Sequence, residues 1–514
     1  MTDPIVPEVT SLDEIYPQQA LLSQGERWNE LAVEFKRLYG QLPDFVSRAP
    51  GRVNIIGEHI DYMLYEVLPM AVAVDLLIAV AASPTPDGEE PSVQIANLSS
   101  AKFTAKAFAV PREGHVEIDS EDHHWTNYFK CGTRGALQLL REKGWTGTPT
   151  SLKVLVHGTI PTGAGLSSSA AFTCASALAV LTANGQAEVK KEELVNLAIV
   201  SERFVGVNSG GMDQTASVFG AKDSALHVSF APKLKATQFS FPKTDPPLNF
   251  LIAQTYVQAD KKTTAPIHYN LRVVETTLAA EVLAKKLGVG PLPSDNGPLG
   301  STLSGLQSKY FEREGSDAPS VVQQLQTLLD VVRQNLDRED GYTKAEIADI
   351  LQTTVEDLMG KYMTRFPVRA EKFQLRSRAL HVYSESLRVN KFADLMMNAP
   401  ENASSSYLEA LGQLMNESQE SCRDLFDCSC PELDQLCDIA RKSGSVGSRL
   451  TGAGWGGCSV HLVPEDKVAR VEAAMKEQYY REKAPRVLGS EEAWREAVVV
   501  SKPGSGAVVF RGLV

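Results

Sequence analysis

Four ionisable side chains with the chemistry to bind a polar ligand occur close together near the start of the chain. They are Arg52, Glu58, His59 and Asp61, and the apolar residues between them are Val53, Ile55, Ile56 and Ile60. This interleaving predicts that residues 48–62 are partly buried, and a buried charge is costly unless a partner or a ligand satisfies it. The pattern therefore favours a ligand-binding site, with a structural network of ion pairs as the alternative.

A second segment, residues 161–170, has the chemistry to bind phosphate. Its residues include Gly163, Gly165, Ser167, Ser168 and Ser169. The glycines would let backbone N–H groups approach an anion, the helix predicted to follow would present its positive end, and the hydroxyls would suit phosphate or Mg²⁺. The loop lacks the ending of a Walker loop. An ordinary serine-capped helix start explains these residues equally well.

A third segment, residues 451–458, matches the G-x-G-x-x-G pattern through Gly452, Gly454 and Gly457. A strand-like run follows it where a dinucleotide-binding fold requires a helix. We therefore expect these glycines to let the turn pass close to another backbone or to a ligand.

The elements that must position these segments follow from hydrophobic periodicity. Strands are predicted at 67–82, 92–108, 151–157, 249–255 and 458–463, with two more within 226–241. Helices are predicted at 24–40, 125–140, 166–182, 191–205, 321–336, 343–352, 371–389, 406–417, 430–443 and 465–480. Much of 287–320 is rich in Gly, Pro, Ser and Asp and is predicted to be a loop insertion.

Composition narrows the classes of function. The formal net charge of -12 argues against broad binding to nucleic acid or to a membrane surface. The N-terminus lacks the features of a secretory signal, and no apolar stretch reaches the length of a membrane span. The seven cysteines fit neither a disulfide framework nor a zinc site, so we expect reduced thiols in a cytoplasmic protein.

Taken together, the three segments resemble the motifs of the galactokinase family. Residues 51–62 look like the galactokinase signature, 161–170 like the phosphate loop shared with homoserine and mevalonate kinases, and 451–458 like the third motif of that wider GHMP kinase group. The resemblance implies an α+β, two-domain GHMP kinase fold with the active site in the cleft between the domains. The N-terminal domain, 24–244, would resemble domain 2 of ribosomal protein S5. The C-terminal domain, 248–514, would be ferredoxin-like, with an insertion at about 287–365.

The resemblance also implies a reaction, the transfer of the γ-phosphoryl group of ATP to the C1 hydroxyl of galactose, with Mg²⁺. The implied catalytic residues are Asp213, as proton acceptor, and Arg52. The implied sugar-binding residues are Arg52, Glu58, His59, Asp61, Gly210, Asp213 and Tyr269. The implied ATP-binding residues are Gly163, Gly165, Ser167, Ser168, Ser169, Lys261 and Lys262, and the implied metal ligands are Ser168 or Ser169 with Glu202. From the residues alone, Asp213 is also compatible with a helix cap, and the two lysines with a solvated pair.

Two other functions remain open at this stage. The chain also resembles N-acetylgalactosamine kinases, which tend to carry Phe at the position of Tyr269, so this residue favours galactose. It further resembles fungal sensors of galactose and ATP that bind a transcriptional repressor and lack two residues in the phosphate loop. Residues 167–171 are intact here, which favours an active enzyme, with a repressor partner as a lesser possibility.

Overall fold

The computed structural model describes residues 4–119, 122, 124–161, 163–205, 210–257, 264–312, 319–401 and 403–512. Its larger sheet has seven strands in the order β1-β15-β2-β3-β6-β4-β5. These strands are β1 Glu8–Val9, β2 Phe45–Ile56, β3 Leu68–Ser83, β4 Ser92–Asn97, β5 Lys106–Ala109, β6 Ser151–Gly158 and β15 Val508–Phe510. The predicted strand at 92–108 is thus two strands, which pair with each other in antiparallel fashion.

The larger sheet is buried on both faces because its central strands are apolar on both. Side chains of one face, such as Val46, Leu77 and Leu155, pack with Trp28 of the first helix. Side chains of the other face belong to the main core, with Val53, Ile78, Val80, Val154 and residues of the helix after the phosphate loop. Every residue of β2 is buried. Charged residues on this strand therefore lie inside the protein.

Helices cover the sheet and build the second half of the chain. In chain order they are α1 Leu21–Tyr39, α2 Asn127–Glu142, α3 Ser168–Ala183, α4 Lys191–Glu202, α5 Met212–Phe219, α6 Tyr269–Lys286, α7 Leu303–Phe311, α8 Val321–Asn335, α9 Lys344–Leu351, α10 Val355–Tyr362, α11 Leu375–Met397, α12 Ser405–Asp424, α13 Pro431–Ser443, α14 Glu465–Met475 and α15 Glu491–Ala497. After α14 a π turn, Lys476–Tyr480, leads into the short helix Arg481–Lys483. No helix within the described ranges is long and apolar enough to cross a membrane.

A four-stranded antiparallel sheet, in the order β12-β13-β9-β14, lies in the second half of the chain. Its strands are β9 Leu248–Gln254, β12 Gly447–Thr451, β13 Cys458–Pro464 and β14 Val498–Ser501. The remaining strands form two small antiparallel pairs, β7 Ser224–Ser229 with β8 Lys235–Ser240, and β10 Tyr342–Thr343 with β11 Lys372–Phe373. Sheets whose strands are largely antiparallel, together with helices that are packed against them, agree with the predicted α+β class.

Two features of the second half differ from the sequence-based expectation or add to it. The predicted loop insertion at 287–320 contains helix α7, which begins after the capping residue Thr302, whose side chain accepts a hydrogen bond from the N–H of Gly305. The last strand, β15, lies at the end of the chain but pairs with β2 of the larger sheet. The proposed boundary at 244–248 stays a prediction, and a division there would leave β15 as a return of the chain to the first domain.

Candidate active site

The three sequence motifs meet at the phosphate loop. The backbone N–H of Arg52 donates to the carbonyl of Leu166 at 3.2 Å, and the Nη1 of Arg52 donates to the carbonyl of Gly165 at 2.7 Å. From the other side the third motif approaches the same loop: a Cβ on Gly452 would lie 2.7 Å from the Gly165 carbonyl oxygen. The expected close approach of this glycine turn to another backbone is confirmed, and the other backbone is the phosphate loop.

The phosphate loop turns sharply before helix α3. Gly163 and Gly165 have φ angles of 74° and 77°, and Ser167, the residue before the helix, has a φ of 58°. Left-handed backbone is uncommon for a serine. The Ser167 hydroxyl is buried and has no hydrogen-bond partner within the described part of the chain. The backbone N–H groups of a helix start, with a buried hydroxyl beside them, suit an anion.

Arg52 links this loop to the predicted catalytic carboxylate. Its Nε lies 2.7 Å from Oδ1 of Asp213, and the side chains are 5% and 24% exposed respectively. Asp213 lies in the first turn of α5, whose N-terminal capping residue is Gly211 with a φ of 106°. The capping interpretation of Asp213 is therefore wrong, because Gly211 occupies the capping position, and the carboxylate of Asp213 pairs with Arg52. One guanidinium thus joins a reachable carboxylate to the phosphate loop.

Two further carboxylates lie buried near Asp213. Oε2 of Glu58 is 3.1 Å from Nη2 of Arg449, and burial raises the pKa of Glu58 against the opposing charge of Arg449. Burial and the charge of Asp213 raise the pKa of Asp61 to about 7. Gly210 packs against this residue, because a Cβ there would lie 2.3 Å from Oδ2 of Asp61.

His59 is held by both ring nitrogens. Its Nε2 lies 2.9 Å from the carbonyl oxygen of Ala453, so Nε2 carries the proton and donates. Its Nδ1 lies 3.2 Å from the hydroxyl of Tyr62 and must then accept. Burial lowers the pKa of His59 to about 3, which agrees with a neutral ring. In this arrangement His59 ties the first motif to the third.

Tyr269 closes the same group of side chains. It is the first residue of α6, and its ring centroid lies 5.8 Å from that of His59 and 5.7 Å from that of Tyr62. Burial, followed by the charges of Asp61, Asp213 and Glu58, raises the pKa of Tyr269. The phenol therefore remains protonated, and the three carboxylates lie near enough for their charges to act on it.

The remaining predicted site residues lie at the edge of this group or outside the described residues. Glu202 is buried at the end of α4, and the side-chain amide of Gln214 donates to its Oε2. Its charge, after burial, raises the pKa of Tyr128 to about 12 and that of Cys174 on α3, which places Glu202 beside the phosphate-loop helix. Lys261 and Lys262 lie outside the described residues.

Sequence reasoning missed two sets of residues near the site. One is an aromatic cluster beside the phosphate-loop helix: Phe172 of α3 stacks on Trp125 at 5.8 Å and 14° between ring planes, and Phe103 lies 5.9 Å from Trp125. The other is the partner of Glu58, Arg449, which lies two residues before the third motif. A buried-strand pattern with one arginine, in Gly447–Thr451, was the available signal for the latter.

Comparisons with known proteins agree on one family. A family model described as "Galactokinase galactose-binding signature" matches residues 33–82, "GHMP kinases N terminal domain" matches 127–221, and "GHMP kinases C terminal" matches 402–481. The chain is 42% identical to a galactokinase of Saccharomyces cerevisiae, with 98% of both chains covered. It is 40% identical to one of Schizosaccharomyces pombe, with 94% of this chain and 95% of the relative covered.

A solved structure shows the same fold. The crystal structure of Lactococcus lactis galactokinase complexed with galactose matches with a TM-score of 0.62 at 23% identity, covering 94% of this chain and 99% of that one. The predicted GHMP kinase fold is confirmed by this likeness and by the two GHMP family models.

Proposed function

Because the chain belongs to the galactokinase family, we propose that it transfers the γ-phosphoryl group of ATP to the C1 hydroxyl of galactose. The observation that carries this proposal is the position of Arg52, which binds the carboxylate of Asp213 at 2.7 Å and the carbonyl of Gly165 in the phosphate loop at 2.7 Å. An acceptor hydroxyl held at Asp213 would then face a phosphoryl group held at the loop.

The enclosed polar side chains around residue 60 would recognise the sugar. Glu58, Asp61 and Tyr269 offer acceptors and a donor in a region that is largely shielded from water, where a hydroxyl that finds its partners is strongly favoured over an analogue that lacks them. Gly210 leaves the carboxylate of Asp61 accessible, since a side chain would occupy that space. His59 contributes the wall of the site, because both of its ring nitrogens are engaged.

The glycine- and serine-rich loop would bind the triphosphate. Gly163, Gly165 and Ser167 turn the backbone toward the start of α3, and Lys261 and Lys262 are proposed as additional cations. Hydroxyl and carboxylate oxygens are the ligands that Mg²⁺ prefers, so Ser168 or Ser169 with Glu202 fit this ion by their donor chemistry. The ion would neutralise charge on the phosphates.

Catalysis then rests on Asp213 and Arg52. Asp213 accepts the proton of the C1 hydroxyl, and Arg52 stabilises the charge on the transferring group. A carboxylate paired with a guanidinium is a weak base. This suffices when the transition state is loose, because the hydroxyl proton leaves late and positioning with charge neutralisation supplies most of the acceleration.

The aromatic cluster of Phe103, Trp125 and Phe172 is proposed as the surface for the adenine ring. Phe172 lies on α3, one turn beyond the serines of the phosphate loop, so a base attached to the bound phosphates through its ribose would reach this cluster. Flat aromatic faces bind a purine by stacking.

A substrate panel tests the proposal. Release of ADP would be followed with galactose and with N-acetylgalactosamine in parallel, at saturating Mg²⁺ and ATP. We expect turnover with galactose and at most a small fraction of it with the acetylated sugar. Turnover with the acetylated sugar alone would assign the chain to that kinase instead, and turnover with neither would leave a binding or sensing role, including one with a repressor.

A further inference from the structure

Two side chains of helix α11 hold the backbone of the sugar-binding segment. Oε1 of Glu385 accepts from the N–H groups of Gly57, at 2.9 Å, and Glu58, at 3.2 Å. One turn earlier, Nε2 of His381 lies 3.0 Å from the carbonyl oxygen of Glu58, to which it donates. Both helix residues are fully buried. The peptide units on either side of Glu58 are therefore fixed by a helix more than 300 residues further along the chain.

The contact leaves little room for the segment to shift. A Cβ on Gly57, whose φ is 110°, would lie 3.1 Å from Cγ2 of Val389 on the same helix. The helix thus packs directly against the backbone at this point. The two backbone N–H groups that donate to Glu385 belong to consecutive residues. Both can point at one oxygen because of the local turn that this glycine provides.

The same carboxylate is connected to the side chain of Glu58 through a chain of buried polar groups. Its Oε1 accepts from the hydroxyl of Ser418 at 2.6 Å, and that hydroxyl accepts from Nε of Arg449 at 3.0 Å. Arg449 in turn pairs with Glu58 at 3.1 Å. On its outer side Glu385 pairs with Arg388 at 2.7 Å.

Charges alternate along this chain, so each buried charge has an opposite neighbour. Burial alone would raise the pKa of Glu385, but the charges of Arg388 and Arg449 lower it to about 2. An ionised carboxylate binds backbone N–H groups more strongly than a neutral one does. Partly satisfied networks of this kind are costly, whereas complete ones hold a single geometry.

We infer that Glu385 is a positioning residue for the sugar: it fixes the Gly57–Glu58 peptide and, through Ser418 and Arg449, the carboxylate of Glu58. Glu385 itself touches no substrate. This inference rests on the proposed function, in which Glu58 binds a hydroxyl of galactose. Its prediction is specific to the sugar, because the contacts of Glu385 given above lie on the side of Glu58 and not on the phosphate loop.

The test compares Glu385→Gln with a matched control, Glu281→Gln. The first change keeps the size of the side chain and removes its charge. The control makes the same change on α6, where Glu281 accepts from Ser301 and Tyr362. For Glu385→Gln we expect the KM for galactose to rise about tenfold while the KM for ATP stays within about twofold. For Glu281→Gln we expect both values to stay at the wild-type level.

The split between the two KM values separates positioning from folding. A loss of folded enzyme would lower kcat and leave both KM values unchanged, and that result in Glu385→Gln would overturn the inference. If this variant does not fold, Ser418→Ala decides, because it removes only the link to Arg449. We expect it to raise the galactose KM about threefold, and an unchanged value would again overturn the inference. Absence of galactose turnover in the wild-type protein would instead refute the proposed function.

Discussion

Replacement of Asp61 by Asn should stabilise the ligand-free protein by an amount that grows as the pH rises from about 4 to about 7, while it abolishes sugar binding. In the wild-type protein burial and the charge of Asp213 raise the pKa of Asp61 from 3.8 to about 7. The folded state therefore holds the Asp61 proton more tightly than the unfolded chain does. Ionisation of this carboxyl costs more in the folded state, and an amide avoids that cost.

The size and sign of the effect follow from proton linkage. Between 3.8 and about 7 the folded state binds more protons at this site than the unfolded state, so wild-type stability falls as the pH rises through that window. At about 1.4 kcal/mol for each pH unit, the contribution lost by the wild type is about 2 kcal/mol at pH 5 and about 4 kcal/mol at pH 8. Below pH 4 the two proteins should differ little from this source.

Urea unfolding at a series of pH values measures this difference. The free energy of unfolding of Asp61→Asn, minus that of the wild type, should increase from pH 5 to pH 8 and then level off. Asp87→Asn, at an exposed position, serves as the control and should show no such rise. Galactose binding, measured by calorimetry, should be lost in Asp61→Asn alone. A stability difference that is flat across this pH range would refute the reasoning.

Three further substitutions probe the site. Asp213→Asn should lower kcat about a hundredfold or more and leave galactose binding measurable, because the geometry survives and proton acceptance does not; near-normal turnover would remove Asp213 from the mechanism. Arg52→Ala should lower kcat about a hundredfold with a smaller change in the KM for ATP, and a defect confined to ATP affinity would contradict the role given to Arg52. Gly210→Ala should raise the KM for galactose about tenfold, since its Cβ would lie 2.3 Å from Oδ2 of Asp61. Gly360→Ala, where the added Cβ meets nothing within 4 Å, should have no effect on either KM, and equal effects of the two glycine changes would argue against the steric reasoning.

Local pattern was sufficient to predict the elements around the phosphate loop, but it did not predict strand β2, which carries much of the first motif, or helix α5, which carries Asp213. The strand, glycine loop and helix around the phosphate loop occur at Ser151–Gly158 and Ser168–Ala183, within two residues of the predicted bounds. These elements have strong local signals, namely β-branched runs, glycines and a long apolar helix. Helix α7 was missed because its polar, glycine-rich surroundings hide a short helix whose stability comes from buried residues such as Leu303 and Leu306.

The residues that hold the site in place could not be predicted from local pattern. Glu385 is separated from its partner Gly57 by 328 positions in the sequence, and Arg449 is separated from Glu58 by 391. Nothing in the local sequence of either residue specifies its partner. A buried arginine or glutamate in a helix or strand requires some opposite charge or polar group, so the need for a partner is readable, but its identity depends on the tertiary fold.

The two arginines of β2 illustrate why chemistry has to be read from contacts. Arg48 and Arg52 are four residues apart on one buried strand, and each pairs with an aspartate. The side chain of Asp75, the partner of Arg48, is 0% exposed and also pairs with Arg27. Asp213, the partner of Arg52, is 24% exposed. A carboxylate enclosed by two guanidiniums and a tyrosine hydroxyl, as Asp75 is, cannot meet a substrate, whereas Asp213 can. On β2, the surroundings of the partner carboxylate, and not the arginine itself, therefore separate the structural ion pair of Arg48 from the pair of Arg52 that is available for catalysis.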